Sequence, residues 1–186
     1  MPMSTKAYLD IETNYVGRFP DSDMRMFRDY PNHKITVLGL RISDGARDQL
    51  VQYVGEEVSK EALLQALAGV ELLVTYNGRS IPDAKGRVGF DFPVIAAQLD
   101  VVLDRMFRHT DLVLACWRKG FYGGLKKVEE ALGLKRTLPG RDGRWAMTTW
   151  RKYSETHNPR LLEELLAYNR EDIMMLEKVE QALRAR

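Results

Sequence analysis

Cysteine is nearly absent from this chain: Cys116 is the only one in 186 residues. No intrachain disulfide can form and no cysteine-based zinc site is available. Such usage suits a reducing compartment. Long apolar runs are missing as well. The opening Met-Pro-Met-Ser-Thr-Lys passes directly into a strand-like segment without an apolar signal region, and no stretch is long enough to span a bilayer. The expected location is therefore cytoplasmic, with no membrane partner. Histidine is scarce: His33, His109 and His157 lack any metal-ligand spacing, so no histidine-based metal site is read. There is no internal repeat and no low-complexity tract. Net charge is only +2, which points to no partner by itself.

What is present is an ordinary globular mixture of 45% hydrophobic and 29% charged residues. The length fits one compact domain, residues 1–186, able to bury a core unaided. Charge distribution is more telling than its sum. Between Trp117 and Arg160, eleven Lys or Arg stand against four acids, a local excess of +7, and all three tryptophans lie in the same stretch. Cations with interleaved aromatics suit a phosphate backbone and stacked bases. A solvated basic face over core tryptophans would give the same pattern.

Alternation predicts strands over Lys6–Thr13, Lys34–Ser43 and Gln49–Val54, the last two joined through Ser43-Asp44-Gly45. A helix is expected over Ser59–Ala68 with Ser59 as N-cap, then a strand over Glu71–Thr75, a helix over Phe92–Leu99 and a strand over Met106–Leu112. Helices follow at Leu125–Leu132 and Thr148–Ser154, and Pro159 opens a long final one. Three strands in a meander followed by alternating helix and strand predict a mixed α/β sheet flanked by helices.

Acidic residues interrupt this apolar pattern at three places. Asp10 and Glu12 point to the same face of the first strand, since side chains alternate. Two acids sharing an apolar face must rise in pKa or find a counter-cation, and hard divalent cations take oxygen ligands. A strand with one solvated face is the plainer alternative. Second, Tyr76-Asn77-Gly78 ends a strand, and Phe90-Asp91-Phe92-Pro93 leads into a helix. Asp91 fits there as a site residue or simply as an N-cap. Third, Leu162, Leu165, Asn169, Asp172, Leu176, Val179 and Leu183 form one stripe of the last helix. An acid in a core-facing stripe is costly unless paired, and Tyr168 lies one turn before it.

Asp-x-Glu on a first strand, Tyr-Asn-Gly then Phe-Asp, and Tyr-x-x-x-Asp on a C-terminal helix resemble the DnaQ-like superfamily of 3′–5′ exonucleases, in its DEDDy branch. Tyr-Leu-Asp-Ile-Glu-Thr is similar to a group of predicted bacterial and archaeal ribonuclease-H-like exonucleases. The resemblance covers nearly the whole chain and implies a ribonuclease-H-like sheet, a three-strand meander plus two parallel strands. It implies metal ligands at Asp10, Glu12, Asp91 and Asp172, with Tyr168 orienting the attacking water. Asn77 would help position substrate, with Thr13, Lys126 and Lys127 as further substrate-binding candidates. Asp111 is similar to a frequent auxiliary acid, though an Asp at a strand end is often only a turn residue. One departure is that residues Arg79 to Gly89 intervene between Tyr-Asn-Gly and Phe-Asp. Asp83 thereby rivals Asp91 as ligand, and Lys85 and Arg87 fall beside the site.

The chemistry implied is phosphodiester hydrolysis with two Mg²⁺ or Mn²⁺ ions roughly 4 Å apart. The expected substrate is the 3′ end of single-stranded DNA or RNA. A structure-selective endonuclease on the same scaffold, or a nucleic-acid-binding module with little catalysis, would carry similar features.

Overall fold

The computed structural model describes residues 5–18, 23–45, 48–79 and 89–186. Its centre is a five-stranded sheet of β1 (Lys6–Tyr15), β2 (His33–Ser43), β3 (Asp48–Val54), β4 (Leu72–Thr75) and β5 (Arg108–Asp111). Strand order is β3-β2-β1-β4-β5. The first three pair antiparallel, while β1–β4 and β4–β5 pair parallel. The expected meander and two parallel strands are both present.

Alternation along β1 sends Ala7, Leu9 and Ile11 into one core layer with Leu38, Leu40, Leu63, Leu73, Val94 and Ile95. That layer is closed by α2 (Lys60–Ala66) and α3 (Asp91–Leu99). Tyr8, on the opposite face, joins Val74, Cys116, Val128, Ile173, Leu176 and Val179. The covering helices there are α5 (Leu112–Arg118), α6 (Leu125–Leu132) and α8 (Pro159–Arg184), with α7 (Gly143–Thr156) packed on α8 and β1. Leu9, Leu40, Leu63 and Leu73 are fully enclosed, and truncating such a leucine to alanine costs about 2–5 kcal/mol. Short helices α1 (Asp23–Arg28) and α4 (Leu103–Met106) complete the fold.

Several expected boundaries move. Ser59 caps α2 as expected, accepting from the Ala62 N–H. The strand expected over Met106–Leu112 is only Arg108–Asp111: Met106 ends α4, and the Asp111 carboxylate accepts from the Val113 N–H and starts α5. The helix expected over Thr148–Ser154 spans Gly143–Thr156, because Asp142 caps it through the Trp145 N–H. Asp91 is not the cap of α3 but its first residue, with Phe90 at the cap position. Asp83, Lys85 and Arg87 lie outside the described residues.

One detail of register opens the site. β4 pairs with β1 only over Lys6–Tyr8. From Asp10 onward β1 extends past the end of β4, and a bulge follows between Glu12 and Thr13. Ligand crevices form where parallel strands end in this way, and bulges re-aim side chains beside such crevices.

Candidate active site

Beyond the end of β4 lies a cleft of about 1150 Å³. Asp10, Glu12, Asp91, Tyr168 and Asp172 all line it, so three separate segments, β1, the start of α3 and α8, converge there. Ligand oxygens of Asp10, Glu12 and Asp172 lie within 4.8 Å of one another. Glu12, Asp91 and Asp172 are buried, while Asp10 is partly open to the cleft. Asp91 stands outside that close trio but within reach of its charge. Burial raises the Asp10 carboxyl well above its ordinary range, and the charges of Glu12, Asp172 and Asp91 raise it further. Glu12 is raised by burial and by Asp172, against the opposing pull of the Lys126 ammonium. Asp91 is raised by burial and then by Asp111. Such mutual repulsion is what a bound cation relieves.

The donor set fits a hard divalent ion. All donors are carboxylate oxygens, the class that Mg²⁺ and Mn²⁺ select. Opposed ligands of an octahedral ion with bonds of ~2.1 Å stand about 4.2 Å apart. A span of 4.8 Å thus needs only a small inward adjustment.

Asn169 and Gly39 explain how Asp10 is held. The Asn169 side-chain N–H donates to Asp10 Oδ2 at 2.9 Å, and the Gln52 amide donates to Asn169 Oδ1 at 2.9 Å. Gly39 pairs with Asp10 across β1–β2. A Cβ there would sit 2.1 Å from Asn169 Oδ1 and 2.4 Å from Ile173 Cδ1. Glycine at this position makes the space in which Asn169 reaches the acid.

Tyr168 is buried, packed edge-on against Trp145 with centroids 5.4 Å apart. Lys126 Nζ donates to its hydroxyl at 3.0 Å and also to the Arg141 carbonyl. Burial and the charges of Glu12, Asp172 and Asp10 push the phenol far up, so it stays protonated. Because an ammonium only donates, the Tyr168 O–H is left to donate elsewhere.

Asn77 holds a left-handed backbone (φ 61°), and its N–H donates to Asp111 Oδ1 at 2.7 Å. Asp111 also accepts from the Arg79 and Val113 N–H groups. Its carboxylate is committed to fixing this turn, and it does not line the cleft. Thr13 lines the cleft and donates to His33 Nδ1 at 3.1 Å, while His33 Nε2 donates to the Met26 carbonyl. Both lysines border a smaller adjoining cavity of about 310 Å³ rather than the main cleft, but Lys127 is exposed whereas Lys126 is half-buried against Tyr168. The two lysines expected to act alike are therefore placed differently.

The basic segment is less a free surface than its composition implies. Arg151 donates to Asn14 Oδ1 and the Tyr15 carbonyl. Arg141 lies 4.4 Å over the Trp145 ring and pairs with Glu164. Arg136 is buried. Its guanidinium meets Glu129 at 2.5 and 2.6 Å, and also pairs with Asp172 Oδ1. Burial opposes its charge, but these two carboxylates outweigh that and hold it fully protonated. Arg136 is one of the eleven cations between Trp117 and Arg160. Glu129 lies within the last turn of α6 and carries no local signal of burial, and only tertiary structure brings the pair together. Two rings unmarked in the sequence also line the cleft, Phe27 at 47% exposure and Tyr122 at 70%. Exposed aromatics beside a charged site are unusual enough to suggest a stacking surface.

A family model described as the RNase_H superfamily matches residues 7–184, and the chain belongs to that superfamily. The mixed sheet is accordingly ribonuclease-H-like. Nothing among curated proteins matches the chain. Among solved structures it is similar to exonuclease I in complex with inhibitor BCBP, at 15% identity over 90% of this chain and 44% of that chain, with a TM-score of 0.42. It is also similar to product-bound exonuclease I, at 14% identity over 89% of this chain and 46% of that chain, with a TM-score of 0.41. The chain spans less than half the length of these exonuclease I chains. Among the described residues no helix is long and apolar enough to cross a membrane.

Proposed function

We propose that this protein is a divalent-metal-dependent 3′–5′ exonuclease acting on single-stranded DNA or RNA. The observation that carries the reading is the convergence of Asp10, Glu12 and Asp172 within 4.8 Å, with Asp91 and Tyr168 lining the same cleft. Mg²⁺ or Mn²⁺ held there would supply an activated water and charge relief at the scissile phosphodiester.

The chain's own residues do the rest. Asp10, Glu12 and Asp172 hold the cation site, with Asp91 completing the acid set from the mouth of α3. Asn169 keeps the Asp10 carboxylate turned toward its neighbours. Tyr168 remains a neutral phenol whose O–H orients the attacking water, because Lys126 occupies its oxygen as a donor. Phe27 and Tyr122 offer faces for the bases of the terminal nucleotides, and base–aromatic stacking contributes roughly 1–3 kcal/mol per base. The 3′ directionality is what the resemblance to DnaQ-like exonucleases implies.

The test supplies 5′-labelled DNA and RNA oligonucleotides with Mg²⁺ or Mn²⁺. Stepwise shortening from the 3′ end, lost on Asp10→Ala, is the expected result. Cleavage of a circular single strand would make the protein an endonuclease instead. Tight binding in chelator without turnover in Mn²⁺ would make it a binding module.

A further inference from the structure

Arg136 borders the acid cluster, lining the smaller cavity with Asp10, Tyr168 and Asp172. Its side chain is 8% exposed, that of Glu129 2% and that of Asp172 10%. Glu129 on α6 takes two guanidinium nitrogens, Nε and Nη2, in a fork at 2.5 and 2.6 Å. This leaves Nη1 directed at Asp172 Oδ1. A bidentate pair of this kind fixes the plane of the guanidinium. Arg136 can then neither swing out to solvent nor move deeper among the acids. The neighbouring Glu171 reinforces the arrangement: its carboxylate accepts from the Thr137 N–H at 2.5 Å, the Thr137 hydroxyl at 2.7 Å and the Leu138 N–H at 3.2 Å. The loop that carries Arg136 is thereby pinned to the turn of α8 that carries Asp172.

On the reading of the acid cluster as a cation site, on which this inference rests, we infer that Arg136 is a positioning residue. Clamped by Glu129, it holds one oxygen of Asp172 so that the carboxylate offers only its other oxygen to the ion shared with Asp10 and Glu12. Cation affinity then depends on Glu129, a side chain that touches neither ion nor substrate. The charge of Arg136 does not by itself repel the ion, because Glu129 balances it.

Mn²⁺ binding to the full-length protein without nucleic acid tests this, followed by electron paramagnetic resonance of the free ion and by calorimetry. Two variants separate charge from geometry. Glu129→Gln keeps the shape but loosens the fork and leaves the guanidinium unbalanced. Arg136→Lys preserves the charge and removes the fork. Both are expected to bind Mn²⁺ about tenfold more weakly than the parent, the usual loss when a partner of a metal ligand is removed. Raising Mn²⁺ to saturation should restore parental kcat in both, which a general loss of structure would not allow. Unchanged Mn²⁺ affinity in either folded variant overturns the inference. A crystal structure of the Mn²⁺-loaded parent decides the matter independently of variant folding. Asp172 bound through one oxygen with Arg136 still on Oδ1 supports it; both Asp172 oxygens on the ion, or Arg136 displaced, overturns it. A parent protein that binds no Mn²⁺ at all would remove the cation-site reading itself, a result distinct from these.

Discussion

Replacing Asp10 by asparagine should make the cation-free protein more stable while abolishing hydrolysis. Two ionised carboxylates within 4.8 Å of each other repel by at least roughly 3.5 kcal/mol at an effective dielectric near 20. Asp10 faces Glu12 and Asp172 at once, but protonation within the cluster limits the penalty, leaving a gain of about 2 kcal/mol from the substitution. In a chain of this length that is a rise in Tm of about 4–8 °C. The amide can still accept from Asn169, so no hydrogen bond is forfeited. The pH dependence has a definite sign. The folded-state pKa of Asp10 is raised, so between its ordinary value and that raised value the folded protein binds more protons than the unfolded chain. The parent therefore loses stability as pH rises through that window, and Asp10→Asn loses less. Histidines give an opposite slope: burial lowers His109 to about 4, so its contribution is lost as pH falls from about 6.5 toward 4. His109 is present in both proteins and cancels in their difference. Calorimetry in EDTA from pH 4.5 to 8.5 should show a Tm gap widening with pH. Added Mn²⁺ should stabilise the parent and leave the variant nearly unmoved. A variant less stable than the parent in EDTA at pH 8 would refute the argument, because it would mean that Asp10 contributes more to packing than it costs in repulsion.

Gly39→Ala should disturb the site from the neighbouring strand β2, on the face that meets α8. The new methyl would meet Asn169 and Ile173 at 2.1 and 2.4 Å, an overpacking that costs about 1–3 kcal/mol; a denaturant melt and a parallel loss of activity check it, and an unchanged midpoint would contradict the contact. The two adjacent lysines should separate kinetically. Lys126→Met should lower kcat about 100-fold at saturating Mn²⁺ and substrate through a misplaced Tyr168. Lys127→Glu should instead raise KM and alter its salt dependence with kcat nearly unchanged; identical effects on both parameters would show that their different placement is irrelevant.

The acids were legible because each violates a local pattern. Asp10 and Glu12 put two charges on one face of an otherwise apolar β1, and Asp172 breaks the helical stripe of α8, so burial had to be balanced by something. Residues that satisfy local patterns were not legible. Arg136 and Glu129 look like ordinary surface charges, and only the packing of α6 against α8 turns them inward. Helix α5 escaped notice because Leu112-Val113-Leu114-Ala115-Cys116-Trp117 is apolar throughout, and an unbroken run carries no period to tell helix from strand. The aromatic pair Phe27 and Tyr122 carries no signal either, since exposure is set by neighbours distant in sequence.

Asn169 reaches Asp10 across 159 positions of the chain. Strand β1 thus waits for α8 to be made before its acids find company. Until α8 arrives, Asp10 and Glu12 have neither their third carboxylate nor the amide that orients them, and a nascent chain stalled before that point would be inert toward nucleic acid. Contacts this remote also slow the final docking step.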